Sequence, residues 1–594
     1  MRIKKIVKIL HLFRQAFGSY KPQIGLLAAV GFLSGLFEGI GVNALIPLFS
    51  FASGEEYDGT DFISQFMERA FAFINIDFTI TNLLIFIAFI FLLKALVLLA
   101  GTYIQIKIVS DYEKNTRMTL FQKTIQSSWP YLLRQKMGHL EKTISFEIKI
   151  VTKLLQNISS LIIVSTTMLV YFFIALNIST LITVVAIIFG AILTVAFFPI
   201  TLRIKRIMNV LRETILSVTH FINESMSGIK TIKAISAGEQ IIRKGNSYFI
   251  SLRNLRVKHA LISAIPTLLN QPISLVFILV LFSISYKTSN FNLPSFIVIM
   301  YLIHRIFLFM QSLQGSMNKA FAAIPYLEGV LDYQLKTTKW KEDDDGSALA
   351  QFNDNLCFKN VSFAYKAEDR AILKDINFKI KKGEFIGLIS PSGSGKTTIV
   401  DLILRLLTPA SGEIFLDGIA ISDIDMHSFR RSIGYVSQDI YLINDTVSNN
   451  IKFYDSSIGD TEIRRAAKMA NIENVIDELP NGFETVIGER GVILSVGQRQ
   501  RIIIARVLAR KPQLLILDEA TSALDNESEF EIQKSIEDLK GKTTVLVIAH
   551  RLGTVLNCDK LLVLQGGKIT EKGTPQELLN KKDSYFFKMY NIRK

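Results

Sequence analysis

Apolar positions run in long blocks over the first half of the chain and in short alternating runs over the second. Six apolar stretches cover roughly 24–51, 81–108, 155–177, 179–201, 261–286 and 293–314. As helices rising about 1.5 Å per residue, each is long enough to cross a hydrocarbon core of about 30 Å. Six such lengths in one half of a chain argue against the buried helices of a soluble protein. Stretches 109–154 and 202–260 are long and rich in Lys and Arg, and read as helices continuing past the membrane. Within them, the turn at Trp129-Pro130 and the segment Glu224–Glu239 are candidate contacts with a cytoplasmic domain. From Phe352 onward, short β-rich runs alternate with amphipathic stretches, as in an α/β domain. Lys336–Ala350, including Glu342-Asp343-Asp344-Asp345-Gly346-Ser347, is polar and aperiodic and reads as a linker. The expectation is a multidomain α + α/β chain: a six-helix transmembrane domain over 1–335, a linker over 336–351 and an α/β domain over 352–594.

Charge adds an orientation. The start carries Arg2, Lys4, Lys5, Lys8, Arg14 and Lys21 and no acidic residue. The segment after the first span carries Glu55, Glu56, Asp58, Asp61, Glu68 and Asp77 against Arg69. Basic residues collect on the cytoplasmic side, so the start is expected inside and that segment outside. The net charge of +15 has the same origin; no nucleic-acid-binding motif accompanies it. The first apolar stretch is too long for a signal-peptide core and continues into Pro47 without a cleavage site, so no leader is expected. The two cysteines, Cys357 and Cys558, both fall in the second half and give no disulfide framework, as in a reducing compartment.

Ionisable residues inside the spans are Glu38, Lys94 and His304-Arg305. A charge at mid-bilayer costs about 2.5–3.5 kcal/mol on insertion scales, so each should face a partner or a cavity. Two compatible readings follow. Glu38 and Lys94 form an ion pair locking two helices, or Lys94 and Arg305 line a cavity that attracts an anionic head group.

In the second half, Phe385-Ile386-Gly387-Leu388-Ile389 reads as a buried strand feeding Ser390-Pro391-Ser392-Gly393-Ser394-Gly395-Lys396-Thr397-Thr398. Backbone N–H groups of such a loop, and the helix N-terminus after it, cradle phosphate oxygens. Lys396 would neutralise the outer phosphates and the Thr397 hydroxyl would ligate Mg²⁺. The usual first glycine of this loop is replaced by Ser390. That costs about 1–2 kcal/mol if the backbone there needs positive φ, and little otherwise. Leu494-Ser495-Val496-Gly497-Gln498 lies about a hundred residues on, ahead of the apolar run Leu514-Leu515-Ile516-Leu517 and Asp518-Glu519.

With both segments in this order the chain resembles the ATP-binding cassette transporters, specifically exporter-type half-transporters, over nearly its whole length. The resemblance implies that Tyr365 stacks on adenine and that Gln438 senses Mg²⁺ and the attacking water. Ser495, Gly497 and Gln498 would belong to the signature segment that meets the γ-phosphate bound by a partner subunit, with Val496 a departure from its pattern. Asp518 would hold Mg²⁺ through water, Glu519 would be the general base, and His550 the γ-phosphate switch. Ser522-Ala523-Leu524-Asp525 resembles the loop crossing the dimer interface, and Gly488-Glu489-Arg490-Gly491 the segment meeting the membrane domain. One cassette per chain implies a dimer, most simply a homodimer, working by alternating access with ATP and Mg²⁺ as cofactors.

Around Glu38, Lys94 and Arg305 the spans resemble bacterial flippases for lipid-linked oligosaccharides. The expected activity is ATP-driven export or flipping of an anionic lipid-like substrate across a bacterial inner membrane, with N-terminus and cassette cytoplasmic. Export of hydrophobic compounds or peptides is the alternative, and an ATP-gated channel a remote one. A soluble cassette ATPase acting on DNA or ribosomes is disfavoured by the six spans.

Overall fold

Close approach between helices shapes the first half of the chain, and glycine permits it. In the computed structural model, which describes residues 11–53, 69, 71–73, 75–135, 141–286, 293–365, 370–391, 393–518, 526–548 and 552–592, the six long helices are α1 (Lys21–Asn43), α2 (Ile80–Ile125), α3 (Ile148–Ile178), α4 (Thr180–Ser227), α5 (Gly238–Ser285) and α6 (Leu293–Lys339). Gly31, Gly35 and Gly39 share one face of α1, against α3. A Cβ at Gly31 would lie 2.1 Å from Thr166 Oγ1, and one at Gly39 2.0 Å from Ile174 Cδ1. Small residues four apart let two backbones meet, which substitutes for the hydrophobic drive that lipid does not supply. The Thr167 hydroxyl then donates to the Gly31 carbonyl at 3.0 Å.

The helices outrun the apolar stretches. α2 has 46 residues, about 69 Å at the usual rise. α4 and α5 carry 48 residues each, so most of the basic stretch 202–260 is helical, as its composition predicts. The first span departs from expectation. It breaks at Ala44 and a second helix, Leu45–Ser53, restarts with Pro47 in its first turn, where a missing N–H is tolerated.

Ahead of α3, Thr143–Glu147 forms a π-helical turn. It delivers Glu147, only 1% exposed, to Arg212 of α4 with Nε at 2.9 Å, and to Lys142 at 3.8 Å. Gly329 of α6 leaves the room: a Cβ there would stand 2.2 Å from Arg212 Nη2.

The chain divides into two compact units, Met1–Ser127 with Tyr131–Lys341 and Ser128–Pro130 with Glu342–Lys594. The segment that reads as a linker falls on both sides of the division. Residues 336–339 are the last turn of α6. Beyond them Glu342 accepts two hydrogen bonds from Arg430, at 2.9 and 2.6 Å, and Asp344 accepts from the Met426 N–H at 3.0 Å. Ser347 and Ala348 donate to the Asp423 carbonyl. Its acidic run is thus docked rather than loose.

In the second unit, β3 (Phe385–Ile389), β6 (Ile433–Val436), β7 (Leu514–Asp518), β8 (Thr544–Ile548), β9 (Lys560–Gln565) and β10 (Lys568–Gly573) form one sheet in the order β10-β9-β3-β8-β7-β6. Only the β10–β9 pair is antiparallel. Strands β3, β7 and β8 are buried at every position, which is why they read as continuous apolar runs. A second, antiparallel sheet joins β2 (Leu373–Lys381), β1 (Asn355–Phe363), β4 (Ser411–Leu416) and β5 (Ile419–Ala420). The ends of β3 and β7 bring the phosphate loop and Asp518 to one edge of the parallel sheet, where ligands bind in open α/β folds.

Candidate functional site

The loop after β3 is built around two left-handed glycines. Gly393 has φ +76° and Gly395 φ +106°, and Gly395 caps helix α7 (Lys396–Ile403). A Cβ at Gly395 would also press on Leu373 at 2.8 Å. Ser390 is not among the positive-φ residues, so its side chain carries no backbone strain. Instead its hydroxyl donates to the Pro391 carbonyl at 3.0 Å and accepts from the Ser394 hydroxyl. Serine at this position cross-braces the loop that a glycine would leave loose. Lys396 is 8% exposed and its ammonium reaches back to the Ser390 carbonyl at 3.3 Å. It is therefore held over the loop, at the N-terminal end of α7, where the helix dipole also favours an anion. Thr397 is exposed at that end and Thr398 is buried.

Asp518 closes β7 and is 6% exposed. The Tyr435 hydroxyl, on β6, donates to it at 3.4 Å; burial and the Asp518 charge both push that phenol up, so it stays a neutral donor. Asp401 of α7 faces the same carboxylate, and its own carboxyl is pushed up to about 6 by burial and by Asp518. A buried carboxylate beside a phosphate loop fits a divalent cation completed by phosphate oxygens and water. Gln438 is exposed just past β6. Tyr365 is 45% exposed, its ring set edge-on to Phe363 at 5.2 Å.

The signature segment is a helix cap. Ser495 is the N-cap of α8 (Val496–Ala509). Its hydroxyl accepts from the Gln498 N–H at 3.2 Å, and Gln498 Oε1 accepts from the Ser495 N–H at 2.9 Å. This reciprocal pair is a capping box. Val496 occupies the first helical position, where right-handed φ suits any residue but proline's neighbours, and it points outward at 38% exposure. Gly497 beneath it is buried. The valine departure thus falls where no left-handed backbone is needed. Ser392, Glu519, the segment Ser522–Asp525 and His550 lie outside the described residues.

In the first unit, Glu38 of α1 gathers both cations that the sequence singles out. Lys94 of α2 stands 2.8 Å from Glu38 Oε2, and Arg305 of α6 binds Oε1. Glu38 is 3% exposed, Lys94 16% and Arg305 29%. Arg305 also lies over the Phe309 ring at 5.4 Å. The ion pair between Glu38 and Lys94 is thus formed, with Arg305 as a second partner that spacing along the chain does not reveal.

Residues 373–522 match the ABC transporter family and residues 45–313 match the ABC transporter transmembrane region. The ATP-dependent lipid A-core flippase of Legionella pneumophila (strain Paris) is 32% identical over 562 residues, 91% of this chain and 92% of that protein. This chain belongs to the ABC transporter family. The heterocyst differentiation ATP-binding protein HepA of Nostoc sp. is 34% identical over 461 residues, 76% of this chain and 74% of that one. A bacterial Atm1-family ABC exporter with ATP bound shares the fold with TM-score 0.77 at 23% identity, over 98% of each chain.

Six membrane-length helices followed by one cassette make this ABC transporter a half-transporter of the exporter type, a multi-pass membrane protein that couples ATP hydrolysis to transport. Within its cassette, Asp518 ends β7 and the phosphate loop follows β3; Tyr435, which donates to Asp518, was not singled out from sequence. Asp401 was not singled out from sequence; its signal is an acidic residue between the apolar pairs Ile399-Val400 and Leu402-Ile403 of α7. The Lys142–Glu147–Arg212 cluster was also missed, because three charges in basic stretches between the spans read as solvated.

Proposed function

We propose that two copies of this chain form a homodimeric ATP-driven flippase or exporter for an anionic, lipid-like substrate, with lipid-linked oligosaccharides among the candidates. The observation that carries this reading is the Glu38–Lys94–Arg305 cluster, which sets cations from two membrane-length helices against one carboxylate. Charge inside a span is expensive and is retained where it contacts a substrate or partner. Relatives named as lipid A-core flippases support the same class.

In the cassette, Lys396 and the N–H groups at the start of α7 would bind the β- and γ-phosphates, and Tyr365 would stack on the base. Thr397 and Asp518, with Gln438, would hold Mg²⁺. When bound, Mg²⁺ neutralises phosphate charge as the terminal phosphoryl group is transferred to water. Glu519 would take a proton from that water and His550 would hold the γ-phosphate. Ser495 and Gly497 of one subunit would reach the nucleotide held by the other, so binding draws the cassettes together and hydrolysis releases them. Alternating access needs a substrate that binds the two states unequally. The expected setting is a bacterial inner membrane with cassettes on the cytoplasmic side.

The test is ATPase stimulation in proteoliposomes across lipid-linked sugars, anionic and neutral lipids, peptides and hydrophobic compounds. Stimulation by anionic lipids, with loss of that stimulation in a Lys94→Ala, Arg305→Ala double variant, is the expected result. Equal stimulation by neutral compounds would remove the proposal. A Glu519→Gln variant should stop turnover and transport together, whereas a gated pore would remain conducting.

A further inference from the structure

Glu38 does more than hold two helices together. Two cations and one carboxylate leave the cluster with a single net positive charge. The carboxylate is the least exposed of the three, while Arg305 and Lys94 retain accessible surface. Arg305 Nε is buried without a hydrogen-bond partner among the described residues. The hydroxyl of Tyr171, a fully buried residue of α3, lies beside Glu38 and Arg305. The Tyr171 and Phe309 rings meet edge-on at 5.3 Å, so the floor of the cluster is aromatic. An unfilled donor on Arg305 beside a charge excess of one is the making of a site for one anionic oxygen group.

We propose that Glu38 is a built-in counter-ion that sets the head-group charge this transporter accepts, tuning the site to a lipid bearing one negative charge, such as a phosphodiester. The proposal rests on the anionic-lipid reading above and adds its charge specificity. A singly charged phosphoryl group accepts from Arg305 and Lys94 and brings the cluster to neutrality. A doubly charged group leaves an excess negative charge in a medium that solvates it poorly, or must displace Glu38, which then has no counter-ion. Like-charge juxtaposition of this kind is a device for rejecting partners as well as for choosing them.

The test uses full-length protein in phosphatidylcholine vesicles doped with either of two polyprenyl lipids on the same tail, one a phosphodiester and one a diphosphate. The readout is the ratio of their half-maximal concentrations for ATPase stimulation. That ratio is insensitive to how much active protein each preparation holds. Wild type should favour the phosphodiester. Glu38→Gln, which keeps the shape and removes the charge, should move the ratio toward the diphosphate by about tenfold or more. Adding Lys94→Gln to Glu38→Gln restores one net charge and should restore the wild-type preference. Lys94→Gln alone, which tests the same idea should Glu38→Gln not assemble, removes the net charge and should weaken both anions against an uncharged polyprenol.

A Glu38→Gln ratio within about twofold of wild type overturns the counter-ion role and leaves the anionic-lipid reading standing. Failure of both lipids to stimulate wild type overturns that reading and the counter-ion role with it.

Discussion

Single residues carry departures that look costly in the sequence and prove inexpensive in place. Ser390 replaces a glycine, yet its backbone is not left-handed and its hydroxyl braces the loop. Ser390→Gly should therefore leave ATP hydrolysis within a few-fold of wild type; a large drop in turnover would show that the brace is part of catalysis. Lys396→Ala should abolish hydrolysis, because among the described residues Lys396 is the cation held over the loop, and residual wild-type turnover would refute the site. Cys558 is a third case. Burial, with Asp559 beside it, pushes its thiol up to about 12, so it should resist maleimide at pH 8 in the folded protein and react fully once denatured. Labelling of Cys558 at native pH would contradict the packing. Sequence names these residues but not their φ angles or partners, which depend on neighbours distant in the chain. Glu38 is the clearest example: Arg305 is 267 positions away.

Elements were legible wherever periodicity ran long. The six membrane helices and the buried strands follow from their apolar runs. The extensions of α2 and α4 past their apolar stretches were legible too, because charged residues are as compatible with a helix as apolar ones once solvent is available; the positions where they end, Ile125 and Ser227, were not. The π-turn at Thr143–Glu147 has no sequence mark, since it exists to bring Glu147 to Arg212. Glu147→Gln should cost about 3 kcal/mol, since it strands two cations in a site with little solvent. Gly329→Ala should destabilise by the same route, forcing Arg212 off Glu147. Thermal unfolding of the detergent-solubilised protein checks both; a shift of under about one degree in both variants would mean that the cluster is relaxed by water.

At the scale of the whole molecule, the chain passes from the first compact unit to the second after Lys341, inside the segment 336–351 that reads as a linker, and Ser128–Pro130 group with the second unit. The acidic run read as linker is bonded to Arg430, Met426 and Asp423, and composition alone cannot separate a docked acidic strand from a free one. In a homodimer each nucleotide would be shared by the loop of one chain and the signature of the other. Lys396→Ala and Ser495→Asp homodimers should both be inactive, while a mixture of the two chains should regain activity, because one of the two composite sites in each mixed dimer is intact. No recovery on mixing would argue against shared sites. The capping box at Ser495 gives this experiment its meaning. Aspartate caps a helix as well as serine does, yet an ionised carboxylate has no proton to offer a phosphate. A chain altered at that position would fold, reach the membrane and pair with normal chains. In a cell making both versions, each mixed dimer would keep one intact composite site, so the altered chain would be masked by its normal partner and the defect would show only where every copy carries it.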